Sequence, residues 1–201
     1  RRRRTKVPAL NTAMTTNRPF ALPASVLTNI AETRDREREQ TLAAEVLALG
    51  EAIGATTMGS GAADSWQAAL DHYDLARRIM ERKHSPADTV GALVLARRGQ
   101  AALKAAGLGK SWTPDPSCYF NPLHSSGTTT VTWKGERGMV AVPACAPCAA
   151  SIKAGHEPED VLDFADHHGR KHYFDLDLGI WSQTAYGSLD VDLVTRLFAT
   201  G

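Results

Sequence analysis

At 201 residues, 43% of them hydrophobic, the chain is long enough to bury a core in one domain or in two small ones. Its 23 lysines and arginines against 22 aspartates and glutamates leave a net charge of +1, which provides no global field for nucleic acid, and no apolar run of about 18 residues spans a membrane. Three cysteines, an odd number, speak against a disulfide framework and for a reducing compartment.

Arg1-Arg2-Arg3-Arg4-Thr5-Lys6 is the one strong charge run. A solvated tail is the ordinary reading of such a run, and a nucleic-acid arm lacks aromatic partners here. The chain opens without methionine, which reads as a piece of a longer protein. A basic block at such an edge fits the cytoplasmic side of a preceding transmembrane helix. The expected contact is an anionic membrane surface, through Arg1, Arg2, Arg3, Arg4 and Lys6. Pro8, Pro19 and Pro23 mark residues 7–24 as an extended linker, so 1–24 read as a basic juxtamembrane tail and linker.

Ser25 is placed to cap a helix running to about Ile53, with Gly54 after it. Its first half is polar, with Glu32/Arg36 and Asp35/Arg38 at helical spacing. Its second half carries an apolar stripe of Leu42, Val46, Leu49 and Ile53. A second helix is predicted over Ala62–Arg82, with Trp66, Leu70, Tyr73 and Met80 on one stripe and Ala69, Ala76 and Ile79 beside it. Ser85-Pro86, with Asp88 in the first turn, opens a third helix that Gly107 ends; its apolar set is Val90, Leu93, Val94, Ala101 and Leu103. Three amphipathic helices with short connections predict an antiparallel helical bundle over 25–107. Trp66–Ala76 has the flavour of a tetratricopeptide helix, but no second copy follows at a fixed period.

The segment 108–115, with Gly109 and Pro114, reads as a joint to a second part over 115–201. There Cys118 and His124 flank Asn121-Pro122, a turn former. Thr128–Trp133 and Met139–Val142 predict a β-hairpin around the loop 134–138, and Pro143 ends the return strand. Cys145-Ala146-Pro147-Cys148 then opens a helix to Ala154, stopped by Gly155. Every cysteine of the chain stands in this segment beside a histidine. Cys118, His124, Cys145 and Cys148 make the donor set of a closed tetrahedral zinc shell, three thiolates and one imidazole. Knuckle, hairpin, then a helix carrying the last two ligands is the order of a treble-clef-like (zinc-ribbon-like) module. The fold class expected is therefore α+β. C-x5-H is wider than the usual ligand spacing, and two other readings stay open. One is an ordinary loop histidine beside small buried cysteines. The other is a Cys145/Cys148 redox pair at a helix start, for which no βαβ frame is present.

Downstream, 157–160 form a polar turn, and Arg170–Leu176 predict a strand. His167, His168 and His172 invite a second metal site, but neighbouring histidines in a turn point different ways. Ser188 is expected to cap a last helix with Leu189, Leu193, Leu197 and Phe198 near one face. Trp181 and Tyr186 are expected to pack it onto the module.

C-Y-F-N-P-L-H, followed by T-V-T-W, V-P-A-C and W-S-Q-T-A-Y-G-S-L, resembles an uncharacterised family of membrane-anchored proteins of high-GC Gram-positive bacteria, whose module carries a C-F-F-x-P-x-H-G-type motif. Here Ser125 stands in place of the glycine after the histidine. The resemblance implies a domain at the cytoplasmic face of the cell membrane and implies no activity. The chain has no G-x-S-x-G, H-E-x-x-H or G-x-x-x-x-G-K. The leading expectation is a non-enzymatic, membrane-anchored domain with a structural zinc and a protein-interaction role. The alternatives are a C-x-x-C thiol-disulfide protein or a zinc-dependent hydrolase. Nucleic-acid binding has little support, because the module's cations Lys134, Arg137 and Lys153 are few and offset the −1 charge of a Cys3His zinc site.

Overall fold

The computed structural model describes residues 23–135, 138–166 and 169–199; for Ala24 and Asp166 the backbone alone is described. The basic run Arg1–Lys6 and the pair His167-His168 lie outside these residues. Among the described residues the fold is α+β. Its elements are α1 (Ala24–Ala55), α2 (Ala63–Glu81), α3 (Pro86–Gly107), β1 (Thr129–Gly135), β2 (Gly138–Ala144), α4 (Ala146–Lys153), β3 (Asp163–Asp166), β4 (Gly169–His172), α5 (Ile180–Thr184) and α6 (Leu193–Phe198).

α1 has 32 residues and is about 48 Å long at 1.5 Å per residue. Leu42, Val46 and Leu49 form its buried stripe, as the 4-and-3 spacing predicts. Its first half is mostly exposed, Val26, Leu27 and Ile30 included. Arg38 pairs with Asp35 at 3.2 Å and lies 5.9 Å from the ring centre of Phe164. α3 begins with a capping box. The Ser85 hydroxyl accepts from the Asp88 backbone N–H, and the Asp88 carboxylate accepts from that of Ser85. Two orphan donors are thus satisfied at the start of the most buried helix.

α3 is not amphipathic in place. From Ala87 to Gly99 almost every residue is buried, whereas Ala101 of the expected stripe is exposed. The cause is coverage on all sides, by α1, α2 and the C-terminal segment. Small residues permit it. At Gly99 a methyl group would stand 2.7 Å from Leu49 Cδ2, and at Gly91 2.4 Å from the Trp181 ring. On α2 the buried line is likewise Ala69, His72, Leu75, Ala76 and Ile79, while Trp66, Leu70, Tyr73 and Met80 flank it half-buried. The alanines let α3 approach closely, and the larger side chains close the seam from either side.

β1 and β2 pair antiparallel from Thr129↔Ala144 to Gly135↔Gly138. Pro143 does not end the return strand but sits within it, paired with Thr130. In a two-stranded sheet the missing N–H is tolerated, and the Pro143 carbonyl accepts from the Tyr119 N–H at 2.9 Å. A second hairpin, β3–β4, pairs Asp163↔His172 through Asp166↔Gly169. The strand expected over 170–176 therefore stops at His172. There the buried Tyr173 opens a 3-10 turn, with its hydroxyl on the Tyr119 carbonyl at 2.6 Å.

The C-terminal expectation is corrected as well. Ser188 is not the N-cap of the last helix; it closes the 3-10 turn Ala185–Gly187 instead. The last helix begins at Leu193 and is capped by Asp192, whose Oδ1 accepts from the Thr195 N–H at 3.2 Å. Trp181 and Tyr186 pack against α3. The Trp181 indole donates to Asp88 at 2.8 Å, the Tyr186 hydroxyl donates to the Ala87 carbonyl at 3.1 Å, and the two rings stack 5.4 Å apart. Ala185, Tyr186 and Gly187 hold φ of +48°, +52° and +85° in succession. For the first two this is a costly backbone region, occupied because the surrounding contacts over-determine it.

One hydrophobic cluster runs through all of this. It joins Leu42 and Val46 of α1, Leu75 and Ile79 of α2 and Val90 and Leu93 of α3 to Phe120, Val131, Val142, Tyr173, Trp181 and Tyr186. The core does not divide at 108–114. A smaller cluster, Leu49, Ala69, Ala102 and Leu103, sits at the far end of the helices.

Candidate metal centre

The segment 116–120 is held by backbone bonds on more than one side. Ser117 N–H donates to the Gly187 carbonyl at 3.2 Å, Tyr119 N–H to Pro143, and Phe120 C=O accepts from Leu162 N–H at 2.8 Å. Cys118 is thereby fixed inside the core, 0% exposed. Asn121 then turns the chain. Its Oδ1 accepts from the Leu123 N–H at 3.0 Å, an Asx turn, and its carbonyl accepts from the His124 N–H at 3.0 Å. This turn folds His124 back beside Cys118, so a five-residue gap closes on one point.

The other two candidate ligands come from the start of α4. Cys145 is its N-cap and Cys148 lies in the first turn, with Pro147 between them. Proline at this position lacks the N–H that would otherwise be unsatisfied. Gly155, at φ +78°, ends the helix turn. The N-terminal end of the helix dipole favours negative charge on both sulfurs.

The Sγ atoms of Cys118, Cys145 and Cys148 and a ring nitrogen of His124 all lie within 4.8 Å of one another. Cys145 Sγ and Cys148 Sγ stand 3.6 and 3.4 Å from His124 Nδ1. In a tetrahedron with bonds of about 2.3 Å to sulfur and 2.0 Å to nitrogen, the S···N edge is roughly 3.5 Å. The donor set and its spacing therefore suit a four-coordinate metal ion. The opposite ring nitrogen, Nε2, faces Asp160 Oδ2 at 3.2 Å. With Nε2–H donating to that carboxylate, Nδ1 keeps its lone pair for the centre of the cluster. Asn121 Nδ2 also donates to the Asp160 carbonyl at 3.1 Å, so one asparagine shapes the knuckle and anchors the carboxylate behind the histidine.

The three thiols are crowded and enclosed. Burial pushes the Cys148 thiol well up, and the neighbouring Cys145 and Cys118 add to this. Proximity to the other thiols thus disfavours a thiolate at Cys148 unless a cation offsets the charge. A reactive dithiol needs the opposite, a lowered and accessible thiol, and Cys145 and Cys148 are 2% and 3% exposed.

All four residues singled out in the sequence are brought together. His172 is not one of the group; its Nε2 pairs with Glu157 at 2.7 Å and its ring packs 5.2 Å from Phe174. Asp160 was not foreseen. It lies 36 positions from His124 in a polar turn, and no local pattern marks it. Asn121 was visible as a turn former, but not as its anchor. Compared with known proteins, the chain matches no family model, no curated protein and no solved structure.

Proposed function

We propose that this chain is a non-enzymatic interaction domain organised by a structural zinc ion on Cys118, His124, Cys145 and Cys148. On this reading the 115–160 segment is a treble-clef-like module docked on an antiparallel helical bundle. The observation that carries the proposal is the donor set itself. Three buried sulfurs and one imidazole, spaced as tetrahedral neighbours, leave no position for water or substrate. Zinc supplies a cross-link between the knuckle at 118–124 and the start of α4, and its binding energy becomes folding energy, about 10–16 kcal/mol in small zinc modules. The Asp160 contact to the histidine supports the same view, since metal-bound imidazoles are held in this way.

The site of action proposed is the cytoplasmic face of a cell membrane, with a protein as partner. Support for the tether comes from the basic run Arg1–Lys6 and from the family resemblance. No helix among the described residues is long and apolar enough to cross a membrane. The purified chain should bind anionic vesicles weakly and be released by salt, since each cation near such a surface contributes about 1 kcal/mol and is screened.

The experiment for the metal is elemental analysis joined to cobalt substitution. One zinc per chain, replaced by cobalt with the intense visible bands of a tetrahedral thiolate site, is the expected result. Each of Cys118→Ser, His124→Ala, Cys145→Ser and Cys148→Ser should lower metal content and thermal stability alike. A metal-free protein, or damage confined to Cys145 and Cys148, would replace this reading with the dithiol one.

A further inference from the structure

Between α3 and the segment that carries the metal knuckle lies a cleft of about 150 Å³. Arg98 and Ala101 of α3 line one side; Trp112, Asp115, Pro122 and Ser126 belong to the other. The volume corresponds to roughly five water molecules.

Arg98 is the unusual member. It is 8% exposed, yet it has no ion-pair partner among the described residues. Its hydrogen bonds run to neutral groups: the carbonyls of Val191 at 2.7 Å, Gly187 at 3.0 Å and Asp115 at 3.1 Å, and the Ser117 hydroxyl at 3.4 Å. Nη1 and Nη2 make all of them. Nε–H has no partner among the described residues, and Nε is not one of the fully enclosed unpartnered atoms, which are Trp133 Nε1, His172 Nδ1 and Ser188 Oγ. Burial lowers the Arg98 pKa to about 10, with Asp115 acting the other way from a distance. The adjacent Arg97 is different, since Glu45 holds it at 3.0 Å and the Leu123 carbonyl accepts from it at 2.9 Å. A buried cation is ordinarily matched by an anion. Here a cation with a spare donor borders an open cleft whose lining carboxylate, Asp115, forms no ion pair with it.

We propose that this cleft binds a small carboxylate anion, with its oxygens at Arg98 and its carbons against Trp112 and Pro122. The charge calls for an anion, the cleft volume limits it to a few heavy atoms, and the aromatic and proline walls favour an aliphatic body over a bare inorganic ion. The Ser126 hydroxyl is a second donor on the lining. Asp115 opposes the anion and lowers the affinity. The ligand would bridge α3 and the knuckle segment in a cleft that His124 also lines.

The test uses the full metal-loaded chain, with sodium propionate as probe at constant ionic strength, read by the Arg98 Nε–H and Trp112 indole resonances. Both should shift saturably, with a dissociation constant on the order of 1 mM, the range open to so few heavy atoms. Ala101→Phe, at an already exposed position of α3, fills the cleft without touching the Arg98 bonds and should abolish the shifts. Asp115→Asn should tighten binding roughly threefold by removing one repulsive charge. Absence of saturation up to about 50 mM propionate, fifty times the constant expected, would overturn the proposal. So would shifts that survive Ala101→Phe, or equal saturation by phosphate and chloride, which would mark unspecific charge binding.

Discussion

Gly91→Ala on α3 isolates the contact that joins the C-terminal segment to the helices. A methyl group built there stands 2.4 Å from both Cη2 and Cζ2 of Trp181. Carbon atoms in contact sit about 3.5–4.0 Å apart, so the ring must retreat by about 1 Å. It has no free direction. Trp181 is 2% exposed, stacks on Tyr186, and donates to Asp88 at 2.8 Å. A retreat of that size stretches the bond past its useful range. In an unconstrained helix the substitution would add about 1 kcal/mol. Against this stand an overpacking cost of about 1–3 kcal/mol and a weakened bond to a carboxylate of about 1.5–3 kcal/mol. The net expectation is a loss of about 3 kcal/mol, or about 6–12 °C in Tm for a chain of this size. Gly54→Ala on α1, where nothing lies within 4 Å of the added methyl, is the control and should not destabilise. Urea unfolding of the purified protein, followed by circular dichroism and tryptophan fluorescence, measures both. Trp181→Phe should remove most of the Gly91→Ala penalty, because the shorter ring clears the methyl. If Gly91→Ala proved as stable as the parent, the packing of Trp181 onto α3 would not hold in solution.

Three further outcomes follow from the same geometry. Asp160→Ala should weaken zinc about tenfold, the low end for a carboxylate behind a histidine ligand, because its side chain is 73% exposed; competition with a chromophoric chelator measures it, and unchanged affinity would remove Asp160 from the site. Burial holds His72 at about 4, well below an ordinary imidazole at 6.5. Between these values the unfolded chain binds more protons, so stability is full above pH 6.5 and falls by about 3 kcal/mol as pH drops towards 4. His72→Gln should flatten this part of the pH profile relative to the parent, and identical profiles would contradict the assignment. A fragment of residues 23–107 should lose its cooperative melt, because Val90 and Leu93 share a core with Tyr173, Trp181 and Tyr186; an intact, sharp helical transition would show that the helices stand alone.

What the sequence determined by itself was whatever depends on neighbours in the chain. The capping box at Ser85 and Asp88, the 4-and-3 stripe of Leu42, Val46 and Leu49, the β1–β2 hairpin and the C-A-P-C helix start are all set by spacing within a few residues. The candidate ligand set was legible for a chemical reason: thiolates and imidazole are metal donors, and the chain concentrates its cysteines in one segment. Tertiary structure decided the rest, because the causes are distant in sequence. α3 lost its polar face only because three other segments converge on it, which no single-helix periodicity registers. The β3–β4 hairpin is too short to show an alternation. Helix α6 starts only at Leu193, after its cap Asp192, because the left-handed turn at Ala185–Gly187 holds the backbone out of helix, its carbonyls taken by Ser117 and Arg98. Asp160 reaches His124 across 36 positions, and the polar groups that hold Arg98 come from as far as 93 positions away. Such contacts exist only once the core has closed, and a buried charge can be recognised as unmatched only when every group around it has been placed.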